Sequence, residues 1–237
     1  MRTTPYYAAI MTLLTSKSYL DLMVIGANDA KYNDPLYGIL PQLRDRSSLI
    51  LVEPISSLHP IIRNHMAEID YEDFEIIPSI VSSTDGEDVE IFCIKEEYWS
   101  KVARTYSKPD WPEYRAPLGV STIHYGKLRN WFHQARQNPE DQAEDAIEKF
   151  NFKTQTIESL VNASGTQPDI IQIDIEGEDA DAIIATDWNK IRPSIIYFEG
   201  NRVTKSARAV KEHLAKYGYH TLWTTNNGLA IRVNDDG

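Results

Sequence analysis

The chain has 237 residues, 42% of them hydrophobic, which suits one sizeable core and, at this length, a single α/β domain spanning 1–237. Its 35 acidic residues outweigh 24 basic ones, and a formal net charge of −11 opposes extended contact with nucleic-acid phosphates or an anionic membrane surface. Cys93 is the only cysteine, which excludes an intrachain disulfide and a thiolate metal cluster and fits a reducing cytoplasm.

The apolar stretch 6–14 has only Arg2 as a basic residue ahead of it and no small-residue cleavage pattern, poor support for a signal peptide. No apolar run approaches a membrane span. Residues 20–26, L-D-L-M-V-I-G, predict a first strand ending at a glycine. In 34–46, Leu36, Ile39, Leu40 and Leu43 recur at helical spacing and predict a helix. Residues 49–52 predict a second strand closed by Glu53-Pro54, after which Ser56 or Ser57 caps a helix to about Ala67. That helix sets Leu58, Ile61, Ile62 and Met66 on one side and His59 toward solvent.

A third strand is expected over 74–81, and a short extra one over 89–94 after the turn Asp85-Gly86. From about 96 to 153 the pattern breaks into prolines, aromatics and an acidic patch, read as a helical or irregular insertion that could serve as a substrate-binding lid. Its Trp111, Tyr114, Tyr125 and Trp131 would either line an acceptor pocket or form the insertion's own small core. Regularity returns with a strand over 169–175, a helix from about Glu178, a strand over 194–198 and a helix over 205–217. The end reads as a hairpin, 219–224 and 229–233, about the turn Asn226-Asn227-Gly228.

Strands alternating with helices imply a doubly wound, mainly parallel sheet, since each parallel connection needs a crossover. A closing antiparallel hairpin resembles the class I methyltransferase architecture more than a dinucleotide-binding domain. Gly26-Ala27-Asn28-Asp29 stands at the carboxyl edge, where open α/β sheets bind ligands, and Gly26 would let a ligand approach the backbone. Asn28 replaces the second glycine of a G-x-G pattern. Glu53, at the end of the second strand, is placed to accept hydrogen bonds from ribose hydroxyls. Asp29 and Asp34 would repel a pyrophosphate and suit the cationic sulfonium and ammonium of S-adenosylmethionine. Ser82 and Ser83 are candidates for the adenine edge.

Four ordered segments carry a more specific resemblance: V-I-G-A-N-D-A-K-Y-N-D-P (24–35), I-L-V-E-P-I-S-S-L (50–58), T-I-E-S-L (156–160) and I-Q-I-D-I-E-G-E-D (171–179). They resemble the FkbM methyltransferases. The resemblance implies S-adenosylmethionine at Gly26, Asn28 and Glu53, with Asp174 facing donor or acceptor, and O-methylation of natural products or sugars. Ala30 departs from the family's usual glycine after Asn-Asp.

Asp174, Glu176 and Glu178 crowd one strand end. Either Asp174, Glu199 and Asn201 offer oxygen ligands to Mg²⁺, or Glu176 and Glu178 simply favour a helix N-terminus. Asp174 is the first choice of general base and His124, in the insertion, the second. The expected acceptor is a small molecule or saccharide hydroxyl, and a homo-oligomer is compatible with the sequence. A nicotinamide-dependent oxidoreductase is a rival lacking its G-x-G-x-x-G, and a non-catalytic cofactor-binding module is another.

Overall fold

The computed structural model describes residues 4–175, 177–200, 207–224 and 227–233. In chain order it has α1 (Pro5–Ser16), β1 (Leu20–Ile25), β2 (Ser47–Val52), α2 (His59–Glu68), β3 (Phe74–Ile77), β4 (Ile80–Val81), β5 (Asp88–Ile94), α3 (Arg115–Leu118), α4 (Tyr125–Ala135), α5 (Ala143–Ala146) and β6 (Ile147–Gln155). There follow α6 (Ile157–Ser164), β7 (Ile170–Ile173), α7 (Asp179–Ala185), α8 (Trp188–Ile191), β8 (Ile195–Glu199), α9 (Ala207–Ala215), β9 (Tyr219–Trp223) and β10 (Asn227–Arg232). The chain divides into two compact units, Met1–Gly86 with Thr154–Gly237, and Glu87–Lys153.

In the first unit, seven strands among the described residues form one sheet in the order β3-β2-β1-β7-β8-β10-β9. β3, β2, β1, β7 and β8 run parallel, while β10 is antiparallel to both β8 and β9. The closing hairpin is therefore inserted with its last strand inside its first, the arrangement of the class I methyltransferase fold expected from the sequence. Asn227 and Gly228 belong to β10 itself, paired with Glu199 and Phe198, rather than to a turn. Residues 225–226 lie outside the described residues.

Alternation along the strands builds the two faces. Met23, Ile25, Ile50, Val52, Ile171, Ile173, Ile196 and Phe198 pack in one core with Leu160, Ile183, Trp188, Val210 and Leu214 from α6 to α9. α6 starts cleanly because the Thr156 hydroxyl accepts the Ser159 N–H at 3.1 Å, and it ends at Gly165, whose φ is +69°. The opposite face meets α1, where Thr4 caps the start, Pro5 opens the first turn, and Tyr6, Ile10 and Leu14 are buried at i, i+4 and i+8. Each such side chain stabilises by about 1.5–3 kcal/mol. The apolar stretch at 6–14 is thus a core-packing helix of this sheet.

Three local expectations change. Residues 34–46 bury Leu36, Ile39, Leu40 and Leu43 as the spacing implies, yet form turns with one 3₁₀ segment, Leu40–Gln42. Pro41 has no N–H to donate to residue 37 and Gly38 weakens the run, so a helix does not propagate. No side chain caps the segment after Glu53: a 3₁₀ turn, Ser56–Leu58, leads into α2. The expected third strand breaks at Pro78 into β3 and β4, and β4 leaves the main sheet to pair with Thr154 and Gln155.

The second unit is a β5–β6 antiparallel hairpin carrying short helices. Its own core joins Ile94, Leu128, Phe132, Ala143, Ala146 and Ile147, with Tyr125 and Trp131 packed against it. These aromatics therefore serve the unit's own core. β6 was not expected, although Phe150-Asn151-Phe152 alternates as a strand does, and β5 belongs here rather than to the main sheet.

Among the described residues, no helix is long and apolar enough to cross a membrane.

Candidate active site

Most of the expected site residues collect at the carboxyl ends of β1, β2, β7 and β8. Gly26 N and Ala27 N both donate to Val52 O at 3.0 Å, turning the chain sharply as β1 ends. Gly26 has φ +79°, and a Cβ there would stand 1.9 Å from the Asp174 carbonyl oxygen. Its missing side chain thus admits the neighbouring strand. Asn28, Ala30 and Asn33 also have positive φ, at 50°, 56° and 65°. Asparagine takes that conformation readily, whereas Ala30 bears it with a Cβ.

Glu53 is buried, at 4% exposure, and fastens the first two loops together. Oε2 accepts the Asn28 N–H and Oε1 the Ile55 N–H, each at 2.8 Å. A carboxylate has about four acceptor directions, so these two bonds are compatible with ribose hydroxyls as further donors. Asp29 turns its carboxylate into its own loop, where Oδ1 accepts the N–H groups of Lys31 and Tyr32 at 3.0 Å.

Two histidines of α2, neither singled out by the sequence as part of the site, hold these loops from behind. His65 Nδ1 donates to Asp29 O at 2.7 Å, and His59 Nε2 donates to Glu53 O at 2.8 Å. His59 is half-buried against this loop instead of facing solvent. The helical spacing of the two, with Ile62 and Met66 between and beyond, was the available signal.

Asp174 ends β7 with its N–H donating to Ile25 O at 2.9 Å and its side chain exposed. The loop beyond it is pinned by Asp179, whose Oδ1 and Oδ2 accept the N–H groups of Ile175 and Gly177 at 3.3 and 3.2 Å. Burial pushes the Asp179 carboxyl up to about 6, against the opposing pull of its backbone hydrogen bonds and with Glu199 adding to the rise. Glu178 takes the N-cap position of α7 without a side-chain cap bond.

Ser82 follows β4, half-buried, with its N–H on Gln155 O at 2.9 Å. His124 is exposed in the second unit, at the N-cap position of α4. Of the expected Mg²⁺ ligands Asp174, Glu199 and Asn201, the last lies outside the described residues. Among the described residues no group of three or more His, Cys, Asp or Glu side chains could hold a metal ion, so magnesium has no support there.

The strand order and the site at its carboxyl edge define a class I methyltransferase fold. Residues 117–221 match the family model described as the methyltransferase FkbM domain. That stretch of the chain is therefore similar to the FkbM methyltransferase domain, and the match includes the third and fourth resembling segments. No protein of curated function matches. Similar solved structures include a precorrin-6y C5,15-methyltransferase from Geobacter metallireducens (11% identity, 98% of this chain and 90% of that one, TM-score 0.45). An rRNA methylase from Streptococcus thermophilus shares 8% identity over 99% of both chains, with a TM-score of 0.46. The O-methyltransferase TomG from Streptomyces achromogenes, solved with S-adenosylmethionine, shares 10% identity over 99% of this chain and 82% of that one, with a TM-score of 0.44.

Proposed function

We propose that the chain methylates a hydroxyl oxygen of a small molecule or sugar, with S-adenosylmethionine as donor. The observation that carries this reading is the buried Glu53 carboxylate at the end of β2, bonded to the backbone of the loop after β1. A carboxylate there suits the two hydroxyls of a ribose. Asp34 and Asp174, on the loops after β1 and β7, suit a cationic donor and disfavour a pyrophosphate.

When bound, the donor supplies an electrophilic methyl group on a sulfonium. The protein's part is to orient the acceptor and take its proton. Asp174 is exposed at the strand end and is the base in this reading. The net charge of −11 supports an acceptor other than nucleic acid.

Calorimetric titration with S-adenosylmethionine and S-adenosylhomocysteine tests the reading, using wild type, Glu53→Gln and Glu53→Ala. Saturable binding by wild type, weakened at least tenfold in Glu53→Ala and less in Glu53→Gln, is expected. No binding of either compound to wild type would sink it.

A further inference from the structure

β9 is the last strand of the main sheet, and its register with β10 fixes which of its backbone groups are used. Thr224 N donates to Asn227 O at 2.8 Å and Val233 N to Gly218 O at 3.0 Å. Antiparallel pairing alternates, so Gly218, His220, Leu222 and Thr224 turn their peptide groups to β10. The N–H and C=O groups of Tyr219, Thr221 and Trp223 point away from the sheet, and among the described residues none of them meets a partner.

Exposed strand edges are ordinarily blunted by proline, a bulge or charged side chains. The opposite edge strand, β3, carries Glu75 and follows Glu72 and Asp73. Tyr219–Trp223 has no proline, lysine, arginine or acid, and its pairing with β10 is unbroken. It also borders apolar surface: Leu222 is 54% and Trp223 37% exposed, with Val233 at 49% beside the start of the strand. An open backbone row flanked by exposed apolar side chains is what an added strand covers.

Charge selects the occupant. Residues 188–233 hold eight lysines and arginines against two acids, in a chain of net charge −11. Burial raises the Tyr219 phenol while Arg232 and Arg192 act against it, so both guanidinium groups lie near the start of β9. Lys216 follows α9 just before the strand. Among the described residues Arg192, Lys216 and Arg232 form no ion pair. A second copy of β9 laid antiparallel here would set its own residues 223–227, W-T-T-N-N, beside these cations and supply no acid. Laid parallel, it would set cation against cation. Phosphates would satisfy the cations and leave the peptide row unpaired.

We propose that β9 is a docking edge for an extended segment of a partner polypeptide, with alternating apolar residues and an acidic end beside Arg192, Lys216 and Arg232. This surface does not rest on the methyl-transfer reading.

The test titrates two capped synthetic peptides of alternating valine and threonine, one flanked by aspartates and one by lysines, into isotope-labelled protein. The aspartate peptide is expected to shift the Tyr219, Thr221 and Trp223 amides of wild type saturably, and the lysine peptide to bind at least tenfold more weakly. Thr221→Pro removes an N–H that faces away from β10, which an edge strand tolerates, and is expected to fold and to lose at least tenfold in affinity. Lys216→Glu with Arg232→Glu is expected to reverse the preference between the peptides, which a damaged fold would not do. If Thr221→Pro fails to fold, the aspartate peptide N-methylated throughout replaces it, keeping its charges without its donors, and is expected to bind wild type at least tenfold more weakly. Binding of neither peptide, of both alike, or undiminished by loss of the N–H groups overturns the proposal. If neither binds while single-stranded RNA does, the cations serve nucleic acid and the proposal is likewise overturned. Sedimentation showing a wild-type dimer that Thr221→Pro converts to monomer gives the edge to a second copy and overturns it as well.

Discussion

Gly26 and Asp174 meet backbone to backbone, so closely that a Cβ on the first would stand 1.9 Å from the carbonyl oxygen of the second. The contact sets the two central strand ends, and the loops that leave them, at a fixed separation. Gly26→Ala must both adopt φ +79° and push β7 away, costing about 1–2 kcal/mol for the conformation and about 1–3 for the overlap. Chemical denaturation should show a loss of roughly 2–5 kcal/mol. A loss under 1 kcal/mol would mean that the strand ends separate freely.

His65 holds the loop after β1 by the hydrogen bond from Nδ1 to Asp29 O, with the Tyr32 and Tyr37 rings edge-on to its own. His65→Ala removes this donor to a buried carbonyl and opens a cavity, and should cost about 2–4 kcal/mol. Donor affinity should fall with it because Asn28 sits on the same loop. His65→Asn, which can place an amide N–H near the position of Nδ1, should recover part of both. Equal behaviour of the two variants would argue against the hydrogen bond as the cause.

Asp179 makes loop stability depend on pH. Its folded pKa, about 6, lies above the ordinary carboxylate value of 3.8, so the neutral form is favoured by folding. The associated stability is fully present below about pH 3.8 and is lost as pH rises through about 6. At about 1.4 kcal/mol per pKa unit this amounts to roughly 3 kcal/mol. Asp179→Asn cannot ionise, so urea unfolding should show the variant gaining on wild type by about that amount between pH 4 and pH 7.5. A pH-independent difference between the two would refute the assignment.

Asp174 projects an exposed side chain from a strand end that is otherwise held through its backbone. Asp174→Asn should therefore leave the unfolding midpoint nearly unchanged and lower kcat on any hydroxyl acceptor by a factor of about 10² or more. Retention of kcat would assign proton removal elsewhere.

Phe132, fully buried, anchors the core of the second unit together with Leu128 and Ile147. Phe132→Ala should destabilise that unit by about 3–5 kcal/mol, seen as faster proteolysis within Glu87–Lys153. Unchanged cleavage there would show that the unit does not depend on this core.

Periodicity and end signals in the sequence determined most of the sheet. Apolar runs marked β1, β2, β7 and β8, and the closing hairpin was visible from its strand pattern, because burial on both faces demands apolar side chains whatever the neighbours. The placement of Glu53, Asn28 and Asp174 was legible for a related reason: polar groups directly after a central parallel strand stand at its carboxyl edge. The conformation of residues 34–46 was not legible, because the same burial of Leu36, Leu40 and Leu43 can be met by turns once Pro41 denies the helix a hydrogen bond.

Only the tertiary structure decided what these residues touch. Gly26 faces a neighbouring strand, Asp29 closes its own turn, and His59 and His65 reach back from α2 to two loops that precede them in the chain. Local sequence records a preference for helix or strand. Hydrogen bonds between distant segments depend on which element packs against which, and that choice is made by the whole core at once.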